Sequence, residues 1–290
     1  MPIELTVWNV ALCAFAIINA AAWVAARRRL QARAALLPSN VFATRRAMLG
    51  LSAIYLLGCA FRSALPMLDV QRICLHDTLL SRIAVGRSVA TIAELAFVAQ
   101  WALLLREAAE GQDRPVVAQA YRALLPLGVA AEIVSWLGVL TRNNLLHAIE
   151  NSLWTLGAAL VVVALAARLH GVDAQRRRMI AVGIAAVAGY LVFMVAVDVP
   201  MYLQRWHASG ATALPISIGI AEVLRRCVPT PLVAAWREDI LWLTLYFTAG
   251  VWLSIALVDA PALGVQRASQ ARRARIPALA SNSDRGASGG

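Results

Sequence analysis

A chain of 290 residues that is 60% hydrophobic and 15% charged, with a mean hydropathy of +0.67, is too apolar to fold as a soluble domain of its size. Its 27 basic residues, set against 16 acids for a net charge of +11, are all arginine. With no lysine, neither retinal nor pyridoxal phosphate can be attached as a Schiff base, and a basic balance spread between apolar blocks calls for no nucleic-acid partner.

The apolar blocks are about 20 residues long, the length at which a helix crosses a hydrocarbon core of ~30 Å. Spans are predicted over about 5–26, 47–67, 83–105, 119–140, 145–168, 179–200 and 240–258. Lipid leaves no partner for open backbone groups, so each span should be a helix, and the alternation a barrel needs is missing. The expected fold class is therefore all-α, a polytopic integral membrane protein built as a seven-transmembrane-helix bundle over residues 1–263.

Span 1 runs from Glu4 to Arg27, Arg28 and Arg29, the reverse of the charge order in a cleavable signal peptide, so it should stay attached as an anchor. Span 2 puts Tyr55, Cys59 and Arg62 on one face, and span 3 does the same with Arg87, Thr91 and Glu94. Span 4 carries Glu132, Ser135 and Trp136; span 5 carries His147, Glu150, Asn151 and Trp154; span 6 carries Tyr190 and Asp198. A long loop over 201–239 follows, in which Ile216, Ile218, Ile220, Val223 and Leu224 suit either a short surface helix or an irregular apolar loop, with an eighth short span as a further alternative. Span 7 opens after Glu238 and Asp239 and carries Trp242 and Tyr246 on one side. The last stretch, 264–290, is rich in Ala, Ser, Gly and Arg and reads as a disordered basic tail.

Arginine placement predicts orientation. Alternate loops hold six, three and four arginines and the tail five, 18 on one side, against seven on the other. The positive-inside rule assigns the richer side to the cytoplasm, with the N-terminus out and the C-terminus in. An arginine-only, alanine-rich chain points to a GC-rich bacterial genome, hence to a bacterial inner membrane.

Ionisable groups inside a bilayer cost ~2.5 to 3.5 kcal/mol each at a helix centre, so they need partners or a purpose. Applied to depth, the orientation gathers Arg62, Arg87, Glu94, Glu132, His147, Glu150, Asn151, Asp198 and Tyr246 in the periplasmic half, as a polar cup closed toward the cytoplasm by apolar packing. The acids Glu94, Glu132, Glu150 and Asp198 outnumber Arg62, Arg87 and His147, which points to protons or a small cation, with the arginines available for anionic groups. Three readings stand: a pocket that binds or moves a small periplasmic ligand, proton or cation; a periplasm-facing enzyme acting on a lipid-like substrate, with His147 and Glu150 as an i, i+3 metal-binding or acid–base pair; and a sensor or assembly factor acting through a protein partner, in which the polar groups only lock helices together. Cys74 and Cys227 fall in outer segments and form a disulfide candidate across an oxidising compartment, whereas Cys13 and Cys59 read as core residues. There is no P-loop, Gly-rich dinucleotide motif or nucleophile elbow, so the lipid bilayer is the one partner composition names and no cofactor follows from the residues.

Overall fold

The computed structural model describes residues 2–110, 115–169, 172–210 and 212–263; the basic tail expected over 264–290 lies outside them. Among the described residues seven helices are long and apolar enough to cross a membrane, which makes the chain a multi-pass membrane protein. They are α1 (Ile3–Ala32), α2 (Ser39–Ala64), α3 (Ile83–Ala109), α4 (Pro115–Thr141), α5 (Asn144–Ala166), α6 (Ala174–Ala208) and, after the short α7 (Ile216–Val223), α8 (Ile240–Val258). No eighth span occurs between 201 and 239 among the described residues.

The helices overrun the apolar blocks because their ends are chemically suited to continue. Arg27, Arg28 and Arg29 are good helix formers whose charge complements the C-terminal dipole of α1, and they carry it to Ala32. α5 starts where the Asn143 side chain accepts the Leu145 N–H at 3.0 Å, and α6 where Asp173 accepts the Arg176 N–H at 2.9 Å. Backbone bonds at the head of that helix, with Arg176 beside it, hold the exposed Asp173 carboxyl below its ordinary range.

α6 continues past the expected end at 200. Pro200 has no N–H to give, and the turn before it, Met194–Asp198, widens into π-helix so that the Val199 N–H reaches the Met194 carbonyl. A second π-helical turn, Tyr246–Gly250, lies inside α8. Both wide turns contribute residues to the central cavity described below.

Consecutive helices α1 to α6 pack as neighbours, and α8 lies against α1, α2 and α3. Small residues set the closest approaches: a Cβ on Gly58 of α2 would stand 2.6 Å from the Ala93 Cβ of α3. α6 packs along α5 and reaches α8 through aromatic side chains, with Phe193 stacked on Trp242 at 5.1 Å and Tyr190 at 6.2 Å from the same indole. Asp259, just past α8, pairs with Arg29 at 2.7 Å and with Arg33, so the last turns of α1 and α8 share one end of the bundle.

The opposite end is roofed by structure that hydropathy does not show. β1 (Met67–Leu68) and β2 (Ile73–Cys74) form an antiparallel hairpin, and β3 (Val228–Pro229) pairs in parallel with β2. A disulfide joins Cys74 to Cys227 with Cα atoms 5.7 Å apart. At the hairpin turn Arg72 adopts φ 60°. Its guanidinium donates to the Val139 carbonyl at 2.7 Å and stands 3.6 Å from Glu222, tying the roof to α4 and α7. Burial lowers the Arg72 pKa from its ordinary value, although Glu222 pulls the other way. α7 lies on the end of α4, where Gly219 meets the Leu140 backbone so closely that a Cβ would overlap its carbonyl.

The Asp259 end departs from the expected apolar closure. Gln100 donates to the Met48 and Ser254 carbonyls at 2.8 and 3.1 Å and accepts from the Ser254 hydroxyl at 2.6 Å. Beyond it Arg45 and Glu107, both buried, form a two-bonded ion pair at 2.8 and 2.9 Å. Arg45 and Glu107 fall just outside the predicted spans 2 and 3, yet α2 and α3 extend far enough to bury both. Closure here is a layer of satisfied hydrogen bonds within the apolar core.

Candidate functional site

One cavity of about 560 Å³ opens inside the bundle, in the size range of small-molecule sites. Of the residues singled out from sequence, Arg62, Arg87, Glu94, His147, Glu150, Asn151, Asp198 and Tyr246 line it. Glu132 stands behind the wall and reaches it through Arg87.

Arg87 is the hub. Its Nη2 donates to Glu132 Oε2 at 2.6 Å and to Glu94 Oε2 at 3.0 Å and lies 3.7 Å from Glu150 Oε1, while Nη1 lies 4.0 Å from Asp69. The face predicted for α3 accounts for part of this, since Arg87 and Glu94 are two turns apart. Thr91, between them, donates to Glu132 Oε2 at 2.6 Å and accepts from the Trp136 indole at 3.0 Å. Arg62 of α2 pairs with Asp69 at 3.5 Å and donates to the Met67 carbonyl at 3.0 Å, holding the hairpin over the cavity.

Glu94, Glu132 and Glu150 each offer an oxygen within 4.8 Å of the others, a carboxylate triad of the kind that can hold a metal ion. The Arg87 guanidinium lies among those three carboxylates and supplies the positive charge there. His147 Nδ1 and Glu150 Oε2 are 2.7 Å apart, so these two side chains bond to each other. The other ring nitrogen, Nε2, faces α4 where Gly138 leaves room: a Cβ there would lie 2.9 Å from it. The ring stacks on Tyr202 at 5.3 Å.

Asn151 donates to Asp198 and links α5 to the π-helical turn of α6. Asp198 is buried and has no ion-pair partner among the described residues. At the edge of the site Arg205 donates to Glu238 at 2.6 Å and to Asp239 at 3.1 Å and lies over Tyr202 at 5.5 Å. Burial raises the Asp239 pKa from its ordinary value, with Arg205 opposing that shift.

The cavity has a second, apolar region. Phe97, Trp101, Leu124, Trp154 and Val161 line it, and they too come from α3, α4 and α5. Aromatic rings connect the two regions: Trp242 to Tyr246 at 5.7 Å, Tyr246 to Tyr55 at 5.8 Å, Tyr55 to Phe97 at 4.7 Å and Phe97 to Trp101 at 6.5 Å. Tyr246 also donates to Glu94 Oε1 at 2.9 Å, so one residue belongs to both regions.

Asp69, Tyr202, Arg205 and Asp239 belong to the site or its edge and are not among the residues chosen from sequence. Asp69 sits in a short loop where an acid is ordinary, and only the hairpin turns it inward. Tyr202 and Arg205 fall within the loop expected over 201–239; the extension of α6 to Ala208 places them on a helix beside the cavity. Several buried polar atoms at the site lack hydrogen-bond partners among the described residues, among them Arg62 Nε, Asp69 Oδ1, Arg87 Nε, Glu132 Oε1 and His147 Nε2. Such atoms are rare in finished cores and common where water or a ligand completes the pairing.

Neither a protein-family model, nor a curated protein, nor a solved structure matches the chain. Function has to be read from the site itself.

Proposed function

We propose that this protein binds a small amphiphilic molecule in its central cavity, the charged end taking a polar head and the aromatic end an apolar body. The observation that carries this reading is that one cavity of about 560 Å³ is lined at once by Asp69, Glu94, Glu150 and Asp198 and by Phe97, Trp101, Leu124 and Trp154. A purely structural set of ion pairs would pack its charges tightly and leave no such space. A metal-dependent enzyme is supported less well, because Arg87 lies within the carboxylate triad and His147 is bonded to Glu150. We further propose, from the arginine distribution, that the N-terminus and the charged region face the outside of a bacterial inner membrane and that the C-terminus is cytoplasmic.

The test is displacement of a solvatochromic apolar dye from detergent-solubilised protein. Saturable dye binding is expected in the natural protein and a loss of at least tenfold in affinity in Ala158→Trp, which fills the apolar region. Glu94→Gln should alter the affinity of polar-headed competitors. Saturable dye binding that Ala158→Trp leaves unchanged would place the dye elsewhere and overturn the reading.

A further inference from the structure

We infer that the molecule taken up by this cavity is an organic cation, a single-chain or ring-bearing amphiphile with a substituted ammonium head. The inference rests on the cavity-binding reading above and adds the ligand's charge and head-group chemistry.

Charge comes first. Four carboxyls, those of Asp69, Glu94, Glu132 and Glu150, stand within 4.0 Å of the guanidiniums of Arg62 and Arg87, and a fifth, that of Asp198, lines the same cavity apart from them. Both guanidiniums are engaged: Arg62 faces Asp69 at 3.5 Å, and Arg87 faces Glu94, Glu132 and Glu150. An anionic ligand would meet carboxylates already gathered around these guanidiniums in a low-dielectric setting, whereas a cation meets carboxyls that outnumber them. The surplus has an address. Asp198 is 4% exposed, lines the cavity, and is bonded to the neutral Asn151 amide with no ion-pair partner among the described residues. Asp69, its side chain 10% exposed, keeps Oδ1 without a hydrogen-bond partner among the same residues.

The aromatic side chains specify what kind of cation. Trp242 stands with Tyr190, Phe193 and Tyr246 around it at centroid distances of 6.2, 5.1 and 5.7 Å, and all four line the same cavity as Asp198. Rings lining the same cavity as a carboxyl without an ion-pair partner favour a weakly hydrated alkylammonium, whose charge is spread over methyl groups and sheds water cheaply. They favour a bare metal ion much less, since it would lose oxygen ligands there. The remaining rings, Tyr55, Phe97 and Trp101, lead from this head-group region into the apolar one, where a hydrocarbon body would lie. A volume of about 560 Å³ suits one chain or a small ring system rather than a two-chain phospholipid.

The experiment compares three probes of equal chain length as competitors for the dye: decyltrimethylammonium, decyl sulfonate and decanol. In the natural protein the ammonium probe should bind roughly tenfold or more tightly than either of the others. The near-isosteric Asp198→Asn should lose most of that preference, read as the ratio of ammonium to decanol affinity within the same variant, and Trp242→Leu should do the same. Trp242→Phe, which keeps a ring and the packing against Phe193, should retain an intermediate preference. Equal binding of all three probes, or a preference for the sulfonate, would overturn the cation inference and leave the cavity reading intact. Failure of every probe to compete would remove both. An ammonium preference untouched by Asp198→Asn and both Trp242 variants would also defeat the assignment, since the selectivity would then arise elsewhere.

Discussion

Arg87 Nη2 stands 2.6 Å from Glu132 Oε2, a contact between α3 and α4 that is shielded from solvent on both sides, with side chains 8% and 4% exposed. Two further carboxyls share that guanidinium, so its removal leaves three carboxyls close together with no guanidinium among them. Breaking a buried pair from one side costs about 3 to 5 kcal/mol, because the orphaned charge must be protonated or hydrated. Arg87→Gln should therefore lower the unfolding temperature in detergent sharply, and Arg87→Gln with Glu132→Gln should recover part of the loss. A single variant as stable as the natural protein by thermal unfolding would show that the hub contributes little. Arg87→Lys should be only partly tolerated, since an ammonium cannot span the positions the planar guanidinium serves.

The disulfide between Cys74 and Cys227 closes a sequence separation of 153 residues and ties β2 to the segment that leads into β3. Cross-links of this kind are worth about 2 to 5 kcal/mol in folded proteins. Peptide mapping without reductant should recover the Cys74 and Cys227 peptides joined. The double change to serine should lower thermal stability and loosen the roof, which hydrogen exchange over 67–81 would register.

Two glycines separate packing from conformation. Gly219 of α7 meets the Leu140 backbone, whereas Gly50 of α2 has open space where a Cβ would go. Gly50→Ala should be neutral or stabilise by about 0.5 to 1 kcal/mol through helix propensity. Gly219→Ala should push α7 away from α4 at a cost of about 1 to 3 kcal/mol. Thermal unfolding of the two variants side by side checks the ordering, and equal shifts would mean that α7 is not held where the structure shows it.

Orientation is open to direct labelling. Thr212 and Asn40 are exposed at opposite ends of the bundle. If the arginine distribution sets topology, a membrane-impermeant maleimide should label Thr212→Cys in intact cells and Asn40→Cys only after permeabilisation. The reverse pattern would invert the proposed topology and move the charged region to the cytoplasmic side.

Hydropathy alone determines that this is an all-helical membrane bundle of seven spans, because a bilayer admits few structures and each leaves a length and a composition in the sequence. Helical spacing also determines which polar residues share a face, and Arg87, Thr91 and Glu94 are legible that way since they lie on one element. What falls between elements is decided by the tertiary structure. Asp69 joins the site because a hairpin folds back over α2, and Tyr202 and Arg205 join its edge because a wide turn ahead of Pro200 lets α6 run on. Arg45 and Glu107 are drawn into the core by helix ends too polar to register as membrane spans. The aromatic path from Trp242 to Trp101 draws its rings from three helices, so no periodicity in the chain announces it. Periodicity records what a residue shares with its own helix; which helix it faces depends on how the helices pack.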